Sequence, residues 1–252
     1  MRQSFGETRS AFHRRHALIS SDSHERVTLP AWPACGLKHL ITPALGADFS
    51  LFLVEVDADT TIAAPESGVE RFVLRQEGEV SVSIGGTDPK TLDHEGYVFV
   101  PSDCAHQLTL SKGARILVLE RRYQPLAGTT LPEPIVNAIS AHEPVAMKGD
   151  ARLMLQKLLP TGDGYDLEIN IMDFAPGASL PYVETHFMEH GLVLLNGGGI
   201  YRLEDNWYPV DADDAIWMGP YCPQWFGAIG HGHARYLIYK NWNRDPLFHG
   251  PR

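Results

Sequence analysis

From Trp32 onward, apolar and polar positions alternate in short runs that change register at closely spaced turn residues. Residues 52–56, 71–74, 80–84, 97–100 and 116–119 are rich in β-branched and aromatic side chains. Gly78, Gly85-Gly86, Asp88-Pro89, Gly96 and Pro101-Ser102-Asp103 stand between them. Strands this short, at this spacing, predict an antiparallel sandwich or barrel. The pattern then occurs a second time. Arg235-Tyr236-Leu237-Ile238-Tyr239-Lys240 echoes Arg115-Ile116-Leu117-Val118-Leu119-Glu120, Gly197-Gly198-Gly199-Ile200-Tyr201 echoes Gly78-Glu79-Val80-Ser81-Val82, and 213–220 echoes 94–101. Self-similarity at a fixed lag predicts a duplicated all-β domain.

The expected organisation is a first β domain over 31–124, a linker over 125–147 and a second domain over 148–252. The linker expectation rests on the clustering of Pro125, Gly128, Pro132, Pro134 and Pro144. Residues 152–159 open the second copy as a strand or a short helix. Residues 1–30 are polar and irregular, with His13, Arg14, Arg15, His16 and His24, and are expected to form a solvated arm or to pack on another subunit.

The chemistry concentrates in Glu184-Thr185-His186-Phe187-Met188-Glu189-His190. Pro176-Gly177 and Pro181 disfavour a helix in front of it, and Gly197-Gly198-Gly199 ends the apolar run behind it, so 182–196 is expected to be a strand. Side chains along a strand alternate with period two, which would place Glu184, His186 and His190 on one face. Burying two imidazoles and a carboxylate without partners costs several kcal/mol, about 1–3 each even by protein-based measures, so a metal ion is the expected occupant. Glu189 falls on the opposite face as a solvated or supporting acid, and His231 and His233 read as loop residues.

The composition narrows the partners. Hydrophobic residues make up 44% and charged residues 21% of the 252-residue chain, as in ordinary globular proteins. A formal net charge of -10 argues against nucleic acid and anionic membranes. No apolar run reaches the roughly 20 residues that span a bilayer, and the first 16 residues lack the apolar core of a signal peptide. Cys35, Cys104 and Cys222 are odd in number and far apart, which suits reduced thiols in a cytoplasmic protein better than a disulfide framework.

Glu184-x-His186-x3-His190-x6-Gly197 has the spacing of the first cupin motif, His-x-His-x3-4-Glu-x6-Gly, with the ligand types permuted. Together with Phe174-Ala175-Pro176-Gly177, Gly199-Ile200-Tyr201-Arg202-Leu203, Asn206-Trp207-Tyr208-Pro209-Val210, Ile216-Trp217-Met218, Pro223-Gln224-Trp225 and 239–246, it resembles the (S)-ureidoglycine aminohydrolase family of two-cupin enzymes. The early Arg9-Ser10 and His16-Ala17-Leu18-Ile19 resemble it too. The resemblance implies two tandem cupin (jelly-roll) domains and hydrolysis of (S)-ureidoglycine to (S)-ureidoglycolate and ammonia in purine (allantoin) degradation. It adds Gln224 as the last ligand, so that Glu184, His186, His190 and Gln224 would hold one Mn2+ per chain in a homo-oligomer. Two nitrogens and two oxygens without a thiolate suit Mn(II) or Fe(II).

The resemblance also implies substrate contacts from Tyr201, Tyr236, Lys240 and Glu133, with Lys240 and Tyr201 closest to the chemistry. Strand period independently places Lys240 on the face of Ile238 and Tyr236. A lysine inside a barrel requires an anion, either the carboxylate of a small-molecule substrate or a structural acid such as Glu168 or Asp173. In the first copy Pro65, Ser67 and Arg71 stand where Glu184, His186 and His190 stand in the second, and His106 alone keeps a ligand-like place, so that copy is expected to be structural. Two other functions use the same residues: an Fe(II) cupin dioxygenase, because two His and a carboxylate also form the facial triad of oxygen activation, and a non-catalytic cupin that binds a small acid.

Overall fold

A computed structural model describes residues 6–248 of the chain. Among the described residues there is no α-helix, only four single-turn 3-10 segments, and no helix is long and apolar enough to cross a membrane. The fold is all-β and consists of two cupin jelly rolls, each described below by itself. Near the N-terminus lie β1 (Ala11–Phe12) and β2 (His16–Ile19).

The first unit comprises Glu25–His142 with Gly162–Asp166. Its strands are β3 (Cys35–Ile41), β4 (Phe49–Val56), β5 (Thr60–Ala63), β6 (Val69–Glu77), β7 (Val80–Ile84), β8 (Lys90–Thr91), β9 (Gly96–Val100), β10 (His106–Leu110), β11 (Arg115–Arg122) and β12 (Ile135–Ala138). They form an antiparallel six-stranded sheet, β12-β9-β6-β11-β4-β3, and a four-stranded one, β5-β10-β7-β8. Val54, Val73 and Val118 of the larger sheet and Val82 and Leu108 of the smaller share one buried cluster. Each such side chain stabilises the fold by about 1.5–3 kcal/mol when fully buried.

The second unit gathers the segment up to His24, Glu143–Thr161 and the chain from Leu167 on. It contains β13 (Val145–Met147), β14 (Asp150–Lys157), β15 (Leu167–Phe174), β16 (His190–Asn196), β17 (Gly198–Leu203), β18 (Asn206–Asp211), β19 (Ala215–Met218), β20 (Gln224–Ala228) and β21 (Ala234–Asn241). The large sheet runs β1-β2-β19-β16-β21-β15-β14-β13, the small one β18-β17-β20. Phe174, Leu192 and Tyr236 meet Tyr201 and Phe226 between them.

The chain crosses from the large sheet to the small one between β6 and β7 and between β16 and β17, turning at Gly78 (φ +72°) and Gly197 (φ +68°). A Cβ would stand 2.4 Å from the Ala114 Cα in one and 2.3 Å from the His233 carbonyl oxygen in the other, so both turns require glycine.

Two segments differ from the sequence expectations. Residues 16–19 are not irregular: β2 is buried along its length and pairs with β19, Leu18 opposite Ile216. The apolar run Ala17-Leu18-Ile19 completes a sheet edge that would otherwise be open. Arg9 reinforces it, since both its Nη atoms donate to the fully buried Asp214 carboxylate at 2.6 and 2.9 Å. The proline-rich span 125–147 holds β12, paired with β9, and β13, paired with β14, so it supplies edge strands to the two units.

Candidate active site

A cavity of about 330 Å³ opens in the second unit. One wall is the large sheet, whose alternation sends Glu168, Asn170 and Met172 of β15 and Tyr236, Ile238 and Lys240 of β21 inward. Leu155 and Lys157 of β14, Tyr201 of β17 and Gln224 of β20 extend the lining. The mouth is formed by the loop that carries Leu180, Tyr182, Glu184, His186 and Met188.

That loop corrects the expectation of a continuous strand over 182–196. Pairing in β16 begins only at His190, and within 182–189 the chain makes a single bridge, Glu184 to Gln224. Convergence therefore does not come from strand parity. The Glu184 N–H donates to the Gln224 carbonyl at 2.8 Å and the Gln224 N–H to the Glu184 carbonyl at 2.9 Å, pinning the loop to β20. The Tyr221 N–H donates to the His186 carbonyl at 2.7 Å and fixes its other end.

The two imidazoles meet at a right angle with ring centroids 4.7 Å apart. His186 Nδ1–H donates to the Met188 carbonyl at 3.0 Å and His190 Nδ1–H to the Tyr239 carbonyl at 3.1 Å. Each ring therefore presents an unprotonated Nε2, and these two atoms lie 3.0 Å apart. Burial lowers the pKa of both rings, that of His190 strongly, which keeps them neutral. Gln224 Nε2–H donates to His186 Nε2 at 2.9 Å, while its Oε1 is buried without a hydrogen bond. Two imidazole nitrogens that both present lone pairs at 3.0 Å repel unless a cation lies between them. Metal–nitrogen bonds of roughly 2.1 Å at right angles bring two ligand nitrogens about 3 Å apart, so His186, His190 and Gln224 fit a divalent ion.

Glu184 stands at the rim. Its carboxylate accepts from Lys148 Nζ at 2.9 Å, and that ammonium also meets the Tyr182 hydroxyl and lies 3.8 Å from the centre of its ring. Among the described residues no three His, Cys, Asp or Glu side chains are drawn together as a metal shell.

On the wall, β-pairing sets His190 opposite Lys240 and Lys240 opposite Glu168, an imidazole, an ammonium and a carboxylate in one row across three strands. Of the two acids considered from sequence, Glu168 is the partner of Lys240, at 2.5 Å; Asp173 accepts from His233 Nδ1 at 2.6 Å. Lys157 also pairs with Glu168, at 2.7 Å. Burial alone would raise the Glu168 pKa, but the two ammonium groups outweigh it and hold it below the usual value. Two lysines against one acid leave this end of the cavity with a net positive charge. Tyr201 and Tyr236, both 1% exposed, hydrogen-bond one another, and burial raises both phenols above their usual pKa, so they stay neutral donors.

No protein-family model matches the chain. It is 41% identical over 242 residues to the (S)-ureidoglycine aminohydrolase of Arabidopsis thaliana, covering 96% of this chain and 80% of that one. The chain belongs to the (S)-ureidoglycine aminohydrolase family. The Escherichia coli enzyme of that name is 33% identical over 240 residues, covering 92% of this chain and 90% of its own. A crystal structure of protein Ylba from E. coli superposes with a TM-score of 0.84 at 29% identity, over 97% of this chain and 98% of that one.

In this member of the (S)-ureidoglycine aminohydrolase family, three sequence readings need adjustment. Glu133 is exposed in the first unit, before β12, and does not line the cavity. Glu189 is not solvated: it is 4% exposed and accepts from Trp217 Nε1 at 3.2 Å. Lys157, Glu168 and Asn170 were not singled out as site residues, although Glu168 and Asn170 are polar positions alternating within the apolar run of β15, which is a signal of an interior polar site. The three cysteines are free, with Cys35 and Cys222 buried.

Proposed function

We propose that this chain is a metal-dependent hydrolase that takes (S)-ureidoglycine and water to (S)-ureidoglycolate and ammonia: the carbon–nitrogen bond to the amine breaks and a carbon–oxygen bond forms. The observation that carries the reading is the row His190–Lys240–Glu168, which sets an anion-binding ammonium one strand away from a cation-demanding imidazole pair. A small molecule with a carboxylate beside its reacting carbon matches that order of charges, and the curated relatives bear the name of this activity.

In this reading His186, His190, Gln224 and Glu184 hold one Mn2+. Bound there, the ion would act as a Lewis acid and lower the pKa of water. Lys240 binds the substrate carboxylate in a charge-assisted hydrogen bond. Tyr201 and Tyr236, kept neutral by burial, donate to the polar groups of the substrate and fix its orientation. Met172, Leu180 and Ile238 give the cavity apolar walls that limit competing water. A homo-oligomer is part of the same proposal, and light scattering measures it.

The test is ammonia release from freshly prepared ureidoglycine, with and without oxygen. Equal rates in both support the hydrolase. A rate that requires oxygen would support an Fe(II) dioxygenase instead, and no ammonia under either condition would reject the reading.

A further inference from the structure

Beside the row that carries Lys240 lies a second one, Leu192–Ile238–Asn170–Lys157, set by the same pairings. Asn170 is its polar member. It is 5% exposed, lines the cavity, and its Oδ1 has no hydrogen-bond partner. A buried acceptor left unsatisfied destabilises the fold, so its presence in this wall calls for a donor.

The wall does not provide one. Across β21 the neighbour is Ile238, which has no polar group, and across β14 it is Lys157, whose ammonium is engaged by Glu168 at 2.7 Å. Along β15, on the same face, stand the acid Glu168 and the thioether Met172. The donor must then enter the cavity from outside.

We propose that Asn170 is a specificity-determining residue whose Oδ1 accepts an N–H of the substrate's ureido group while Lys240 takes its carboxylate. This rests on the functional reading above. Asn170 and Lys240 are diagonal neighbours on adjacent strands, roughly 7–8 Å apart, a span that suits one small molecule with a carboxylate at one end and a terminal amide nitrogen at the other. The site would therefore select carbamoyl-bearing acids over acids of the same shape that lack the terminal N–H donors. Rejection of an isostere is strong where a protein group is left unpaired.

Two probes separate the terms: N-carbamoylglycine, which ends in NH2, and N-acetylglycine, which ends in CH3 at the same place. Calorimetric titration of the metal-loaded full chain should show the carbamoyl acid binding about ten-fold or more tightly. In Asn170→Leu that ratio should fall to near one, with metal content unchanged and melting temperature equal or higher, because an orphaned acceptor has been removed. Asn170→Ala gives the same readout if leucine does not fit. A ratio unchanged in the folded variant would overturn the role of Asn170 and leave the functional reading standing. Failure of the wild-type chain to bind either acid would remove both.

Discussion

The two units place different charges on equivalent positions. In the first, Arg71 on β6 pairs in register with Glu120 on β11; in the second, His190 on β16 pairs with Lys240 on β21. His106 opens β10 as Gln224 opens β20. His106 Nδ1–H donates to the Cys104 carbonyl at 2.9 Å, leaving Nε2 as an acceptor, just as in the two histidines of the second unit. Here, however, the acceptor is satisfied from within. Arg71, 3% exposed, sends Nη1–H to His106 Nε2 at 3.2 Å and to the Ala63 carbonyl at 2.8 Å, while Nε and Nη2 grip Glu120 at 2.7 and 2.6 Å. A guanidinium fills the place where the second unit leaves facing lone pairs. The difference shows one copy carrying its cation covalently; on the proposed function, the other binds its cation from solution.

The largest effect should come from deleting the built-in cation. Arg71→Met strips Glu120 of both guanidinium bonds and His106 of its donor. Removing one partner of a buried pair costs about 3–5 kcal/mol, and Glu120, with a side chain 22% exposed, places the loss toward the lower end. Denaturant unfolding should show it with metal content unaltered. A loss below about 1 kcal/mol would mean that the guanidinium is not what holds this copy together.

A smaller stability effect is expected in the other copy, where Lys240 stands at the position of Glu120. Lys240→Met removes one of two cations from Glu168, and Lys157 remains at 2.7 Å. Melting temperature should fall only slightly, while KM rises roughly ten- to a hundred-fold through loss of a charge-assisted hydrogen bond. A collapse in melting temperature with KM unchanged would make Lys240 a structural counter-ion and nothing more.

The duplication and the all-β class were legible because their signals are local: period-two runs, and glycines such as Gly78 and Gly197 whose φ and close neighbours admit no other residue. The ligand grouping was legible only through an argument that the structure replaces. Glu184 and His186 lie in a loop, held by one bridge to β20 rather than by strand parity, and a bridge between residues 40 apart in the chain has no local signature. Glu168 was open as one of two structural partners for Lys240, but Lys157 escaped for the same reason, since its place depends on β14, β15 and β21 lying side by side. Leu18 and its neighbours were hidden within a polar segment, their strand partner almost two hundred residues away.

The smallest effect is in acid. The folded-state pKa of Glu168 lies below its ordinary value because two ammonium groups outweigh its burial. Its carboxylate therefore stabilises the fold above the unfolded pKa of about 4.3, and that contribution is lost as pH falls through the depressed folded value. Thermal unfolding from pH 6 down to pH 3 should show a steeper decline for the native chain than for Glu168→Gln. Parallel slopes would remove the ion pair from the account.

The central claim, that the second copy binds the cation the first copy carries as Arg71, is tested most directly by elemental analysis of refolded, Mn-loaded protein. One metal per chain is expected, falling to none in the double variant His186→Ala, His190→Ala. Two metals per chain, or metal retained by the double variant, would contradict it.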